Sequence, residues 1–151
     1  MRLTILILSL FISLSATGQK TISFTFDDGI THDRPGYTFE EWNGMLLKSL
    51  DSANIQAIFF VKGEDKLNEK GRYLLNSWND KGHKIANHTF THPNFNKEDV
   101  TYEDFKEELF LADSIIREYS NYVKLFRFPY LKEGNSRAEV DSIRGFLKEQ
   151  G

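Results

Sequence analysis

The sequence contains no cysteine, which removes disulfides, thiolate metal sites, a cysteine nucleophile and the attachment point of a lipoprotein-type anchor together. It has no basic excess either. Nineteen lysines and arginines stand against 22 acids, for a formal net charge of −3, so nucleic-acid binding has little electrostatic support. With 40% hydrophobic and 27% charged residues and no low-complexity linker, a disordered tail or fibrous repeat is excluded. No second long apolar segment follows the first 14 residues, and so there is no transmembrane candidate in the mature chain. The chemistry must come from carboxylates, hydroxyls and four histidines.

Met1-Arg2 is followed by an apolar run from Leu3 to Leu14, broken only by Thr4, Ser9 and Ser13. That run is too short for a bilayer, which needs roughly 20 residues, but it suits the core of a signal peptide. Ala16 and Gly18 stand where the small residues of a cleavage site before Gln19 belong. The expectation is a leader over residues 1–18 and one exported domain over 19–151, periplasmic or extracellular.

Lys20 to Phe26 alternates as a strand does, ending in Asp27-Asp28-Gly29. Thr38 to Glu41 has the form of a capping box, opening a helix with Phe39, Trp42, Leu46, Leu50 and Ala53 on one face. Ala57 to Val61 is a continuous apolar run, as in a strand buried on both sides. A second helix is expected from about Asp65 to Lys81, with Leu67, Leu74, Leu75 and Trp78 as its apolar positions and Gly82 as its stop. Lys84 to Ala86 reads as a strand, Thr101 as the cap of an amphipathic helix, Tyr122 to Phe128 as a fourth strand, and Ser136 to Gln150 as a last helix. The order βαβαβαβα means an α/β fold, a parallel sheet covered by helices. At roughly 30 residues per unit, four units make a partial, incomplete (β/α) barrel, and Gly151 falls where a helix would hand over to a fifth strand.

In such folds functional groups gather at the carboxyl ends of the strands. Three strand ends here carry reactive residues: Asp27-Asp28, His88 with His92, and Arg127 to Tyr130. Asp27-Asp28-Gly29 alone could be a plain turn, although adjacent carboxylates repel unless a cation or arginine is near. His88 and His92 have a spacing that lets two imidazoles meet one ion; Pro93 leaves a tight loop open as well as a helix. Arg127 could anchor a carboxylate or form an ordinary ion pair. His83 reads as a capping or surface residue, His32 has no partner of its own, the acidic stretch Glu98 to Glu108 reads as a solvated helix start, and Tyr37 is a candidate sugar platform.

Together, Thr25-Phe26-Asp27-Asp28-Gly29, His88-Thr89-Phe90-Thr91-His92-Pro93 and Arg127-Phe128-Pro129-Tyr130 resemble the first three motifs of the polysaccharide deacetylase family. This is the NodB-homology domain, also called carbohydrate esterase family four. The motifs stand in the family's order and approximate spacing across the whole mature chain. The resemblance implies a distorted (β/α) barrel and a divalent metal, most often zinc and sometimes cobalt or another transition ion. Asp28, His88 and His92 would ligate the metal and Asp27 would be the general base. Arg127 would pair with Asp27, the backbone N–H of Tyr130 would help an oxyanion, and Asn87 and Thr89 would orient the histidines. One carboxylate and two imidazoles leave positions open, as a catalytic site requires. The implied substrate is an acetylated glycan such as chitin, peptidoglycan or xylan, cleaved at N-acetyl or O-acetyl groups. The family also carries a later Leu-x-His whose histidine protonates the leaving amine; no histidine follows His92 here. An inactive glycan- or partner-binding module on the same fold is therefore the alternative, and a two-histidine, one-carboxylate iron oxygenase a more distant one.

Overall fold

Four βα units follow one another in the computed structural model, which describes residues 21–151. The strands are β1 (Thr25–Asp28), β2 (Ile58–Val61), β3 (Lys84–Asn87) and β4 (Tyr122–Phe126). The helices are α1 (Phe39–Ser52), α2 (Glu69–Asp80), α3 (Tyr102–Ile116) and α4 (Arg137–Gln150). All pairings are parallel and the sheet order is β1-β2-β3-β4, so each crossover helix returns the chain beside the strand it left. Among the described residues the four strands form an open sheet, the partial α/β architecture expected. The leader over residues 1–18 lies outside the described residues, and no helix among those described is long and apolar enough to cross a membrane.

Local chemistry starts the helices. Thr38 Oγ1 accepts from Glu41 N–H while Glu41 Oε2 accepts from Thr38 N–H (3.3 and 2.8 Å), and Thr101 with Asp104 and Ser136 with Glu139 repeat the device. Each such cap is worth about 1 kcal/mol. The main core joins Leu47 and Leu50 of α1, Phe59 and Val61 of β2, Leu74, Leu75 and Trp78 of α2, and Ile85 of β3. A smaller aromatic cluster of Phe95, Phe105 and Ile143, with Phe126, Phe128 and Phe146 against it, seats α4 on α3.

Several boundaries differ from the sequence expectation. β1 begins at Thr25, and Ile22 is exposed; its partner β2 offers four rungs, Thr25↔Ile58 to Asp28↔Val61, and the pairing ends with the Phe24 carbonyl, which accepts the Ile58 N–H (3.1 Å). The second helix is split into a 3-10 turn (Glu64–Lys66) and α2. Asn68 Oδ1 takes the Gly71 N–H (2.8 Å) and restarts the helix there, which leaves Leu67 exposed rather than on the apolar face. On α1, Asn43 and Leu47 are buried, whereas Ala53, expected on that face, is the exposed C-cap.

His83 is a further correction. It is not a surface residue but 2% exposed, with Nδ1 accepting the Ala57 N–H (3.2 Å) and its ring tilted against Trp78. Burial pushes its pKa below the usual value, with Asp51 opposing and Lys81 reinforcing the shift. The unfolded chain therefore binds this proton more readily than the folded one. His83 costs nothing above the unfolded value of about 6.5 and destabilises the fold as pH falls through that value toward the lower folded one. His83→Gln, whose amide oxygen can accept the same N–H, is expected to lose less stability than the wild type between about pH 7.5 and about pH 5. Urea-unfolding midpoints at the two pH values measure the difference; parallel losses in both proteins would remove His83 from the account.

Candidate active site

The carboxyl ends of β1 and β3 bring three ligand atoms together. Asp28 Oδ1 lies 3.5 Å from His88 Nε2 and 3.3 Å from His92 Nε2, and the two imidazole nitrogens are 3.2 Å apart. His88 Nδ1 is 2.8 Å from the Arg127 carbonyl. A carbonyl only accepts, so Nδ1 carries a proton, and in the neutral ring the Nε2 lone pair faces Asp28. Burial lowers the His92 pKa, with Asp28 opposing and His88 adding to the shift, which favours the neutral, ligating imidazole. Asp28 Oδ1 is itself buried with no hydrogen-bond partner. Three electron-rich atoms thus converge with too few protons among them, an arrangement that a cation answers. Bonds of about 2.0–2.1 Å at a tetrahedral angle put ligand atoms about 3.3 Å apart, and the observed triangle has that size. Asp28, His88 and His92 fit a divalent ion.

Asp27 and Asp28 divide the problem of adjacent carboxylates between them. Asp27 Oδ1 accepts from Arg127 Nη1 (2.6 Å), which also donates to Thr25 Oγ1 (3.0 Å), while Asp27 Oδ2 lies 4.0 Å from His88 Nε2. In a flat sheet β1 and β4 would be roughly 14 Å apart, three strand spacings. Arg127 closes that gap over the Phe60 ring, its guanidinium carbon 4.1 Å from the centroid. The register shift between Ile85↔Tyr122 and Asn87↔Phe126 helps, because it leaves Arg127 N–H on the Asn87 carbonyl (3.1 Å), just past the last rung.

The His88–His92 segment is a loop, not a helical turn: Thr89 and His92 have φ of 69° and 67°. Asn87 and Thr89, expected to orient the imidazoles, hold backbone instead. Asn87 Oδ1 accepts the Thr89 N–H (2.9 Å) and Thr89 Oγ1 the His92 N–H (3.1 Å). Glu108, placed by sequence in a solvated stretch, accepts three hydrogen bonds from this loop. The signal for it was present: three residues after Phe105 and four before Ala112, it sits on the buried stripe of α3. The aromatic ring packed on the triad is that of Tyr130, 4.6 Å from His92 between centroids, not Tyr37, whose backbone pairs with Arg34. Tyr130 is 61% exposed with φ 53°. His32, given no role from sequence, lines a cleft of about 350 Å³ beside the triad with Asp28, Gly29, Lys62, Asp65 and His92.

A parallel βα sheet thus carries a carboxylate–imidazole cluster at its carboxyl edge, and the polysaccharide deacetylase family matches residues 15–145. The chain belongs to that family. Among its relatives, the peptidoglycan-N-acetylglucosamine deacetylase of Bacillus cereus is 31% identical over 113 residues, 74% of this chain and 37% of that protein. The peptidoglycan-N-acetylmuramic acid deacetylase PdaA of Bacillus subtilis is 32% identical over 105 residues, 70% of this chain and 34% of that protein. The crystal structure of the Bc1960 peptidoglycan N-acetylglucosamine deacetylase with 4-naphthalen-1-yl-N-oxidanyl-benzamide gives a TM-score of 0.64 at 26% identity, covering 85% of this chain and 52% of that one. The chain spans about a third of the length of the two sequence relatives and half of the solved structure.

Proposed function

We propose that this chain is a zinc-dependent deacetylase, exported by its leader, that releases acetate from an acetylated glycan, with peptidoglycan the foremost substrate. The observation that carries the reading is the triangle of Asp28 Oδ1, His88 Nε2 and His92 Nε2, with edges of 3.2–3.5 Å. Both sequence relatives are named for peptidoglycan deacetylation, and the Leu3–Leu14 run supports export. A cobalt or other transition ion would suit the same donors.

When bound, the ion supplies a Lewis acid for the acetyl carbonyl and makes water easier to deprotonate. Asp27 takes the proton of the attacking water at Oδ2, the oxygen that Arg127 leaves free. Arg127 aims that carboxylate by holding Oδ1 and Thr25 Oγ1 at once. The backbone N–H of Tyr130 is the donor assigned to the developing oxyanion. The Arg127 carbonyl fixes the His88 tautomer throughout.

Metal analysis tests the reading. Wild-type protein is expected to hold about one equivalent of zinc, with His88→Ala and His92→Ala each binding it far more weakly but measurably, as a three-ligand site reduced to two should. Acetate release from an acetylated glycan should follow the metal. A wild type that carries no ion under any loading condition overturns the reading. Glycan binding without turnover, left unchanged by Asp27→Asn, would instead mark a binding module on the same fold.

A further inference from the structure

We propose that Glu108 is a positioning residue of the metal site: from α3 it sets the geometry of the loop that carries His92, and through it the site's affinity for its cation. This rests on the reading of Asp28, His88 and His92 as ligands.

The backbone accounting of the loop points to Glu108. Each of the five N–H groups from His88 to His92 has a partner. His88 donates to the Val61 carbonyl (3.0 Å), Thr89 to Asn87 Oδ1 (2.9 Å) and His92 to Thr89 Oγ1 (3.1 Å). The two in the middle, Phe90 and Thr91, both donate to Glu108 Oε2 (2.9 and 2.6 Å), and the Thr91 hydroxyl donates to Oε1 (2.6 Å). One side chain therefore satisfies three donors with both its oxygens, through charge-assisted bonds, which are about twice as strong as neutral ones. With its oxygens so engaged, Glu108 acts on the loop rather than on the ion.

The loop needs such an anchor. Thr89 and His92 occupy the left-handed region, at about 1–2 kcal/mol each for residues with a Cβ, so the segment does not hold this shape by local preference. The two histidines also differ in support. His88 stands just past β3 with its ring tied to the Arg127 carbonyl and its side chain 3% exposed; the His92 side chain is 18% exposed. His92 comes directly after the two residues that Glu108 grips. Loss of Glu108 should free His92 and leave His88 where it is.

Zinc affinity of the full 151-residue chain, measured by chelator competition, tests this alongside thermal melting and the absorption spectrum of the cobalt-loaded protein. Glu108→Ala is expected to weaken zinc binding about 10- to 100-fold and to alter the cobalt spectrum. Glu108→Asp keeps the charge but withdraws it by one methylene and should weaken binding about tenfold; it carries the test if Glu108→Ala does not melt cooperatively. Glu108→Gln should restore most of the affinity, since its oxygen can accept both N–H groups and its amide can donate to Thr91 Oγ1. Placed on His92→Ala, Glu108→Ala should cost no further affinity, because its effect runs through His92. Wild-type affinity in Glu108→Ala or Glu108→Asp, a lowered melting temperature with unchanged affinity and cobalt spectrum, or a full additional loss on the His92→Ala background would overturn the proposal while leaving the metal site standing. A wild type that binds no zinc would remove the metal site and this inference together.

Discussion

Asp27→Asn is expected to lower acetate release by about 10²- to 10⁴-fold while zinc content stays at the wild-type level. Asp27 lies outside the ligand triangle. Its Oδ1 is taken by Arg127 (2.6 Å) and its Oδ2 stands 4.0 Å from His88 Nε2. An asparagine has the same shape and can still accept from the guanidinium, so the Arg127 bridge over Phe60 and the approach of β4 to β1 survive. What disappears is an oxygen that can take a proton from water. Because that proton is removed before any leaving group departs, N-acetyl and O-acetyl substrates should fall in parallel. Acetate assays on a chitooligosaccharide and an acetylated xylan, run beside metal analysis, check all three points. Turnover close to wild type in Asp27→Asn would strip Asp27 of the role of base, and a loss of zinc along with activity would make it a ligand instead.

The division of labour between the two aspartates was legible in the sequence because it follows from topology. Once four βα units are read from local pattern, the ends of the first, third and fourth strands must lie along one edge, and Asp27-Asp28, His88 and Arg127 sit at those ends. The helix starts at Thr38, Thr101 and Ser136 were legible for a similar reason, since a cap is four residues of local chemistry. What local pattern could not carry is what distant contacts decide. β1 starts at Thr25 because its pairing with β2 begins there. His83 is buried because Gly82 turns the chain (φ 78°) and the imidazole meets Trp78 and the Ala57 N–H. The His88–His92 spacing allowed both a helical turn and a loop. The choice was made by the Gly63 N–H on the Thr89 carbonyl, the Glu64 N–H on the Phe90 carbonyl and Glu108 on the opposite side. The spacing of Glu108 from Phe105 and Ala112 hints at burial, but what it holds follows only from the loop packed on it.

Gly29→Ala is expected to destabilise the fold by roughly 2–5 kcal/mol, adding about 1–2 for a left-handed residue that gains a Cβ and about 1–3 for overpacking. Gly29 has φ 84° and closes a tight turn with its N–H on the Asp27 carbonyl (2.8 Å). A Cβ there would lie 2.4 Å from Phe59 Cζ, 2.8 Å from Lys66 Cε and 3.0 Å from Leu74 Cδ2. None of the three can step aside easily, because Phe59, Lys66 and Leu74 are each at most 2% exposed. The cheaper relief is for the backbone to lift off this floor, and the residue it takes along is Asp28, itself at φ 67°. The same substitution should therefore weaken zinc binding, since Asp28 Oδ1 meets both imidazoles only from its present position. Gly44→Ala in α1 is the matched control: nothing lies within 4 Å of its Cβ, and a helix-interior glycine replaced by alanine should stabilise by about 0.5–1 kcal/mol with zinc affinity unchanged. Urea midpoints and chelator competition on the two variants separate the outcomes. Equal stability in Gly29→Ala and wild type would mean that Phe59 and Lys66 yield after all. Lost stability with intact zinc affinity would mean that Asp28 is held by the ion more firmly than by the turn beneath it.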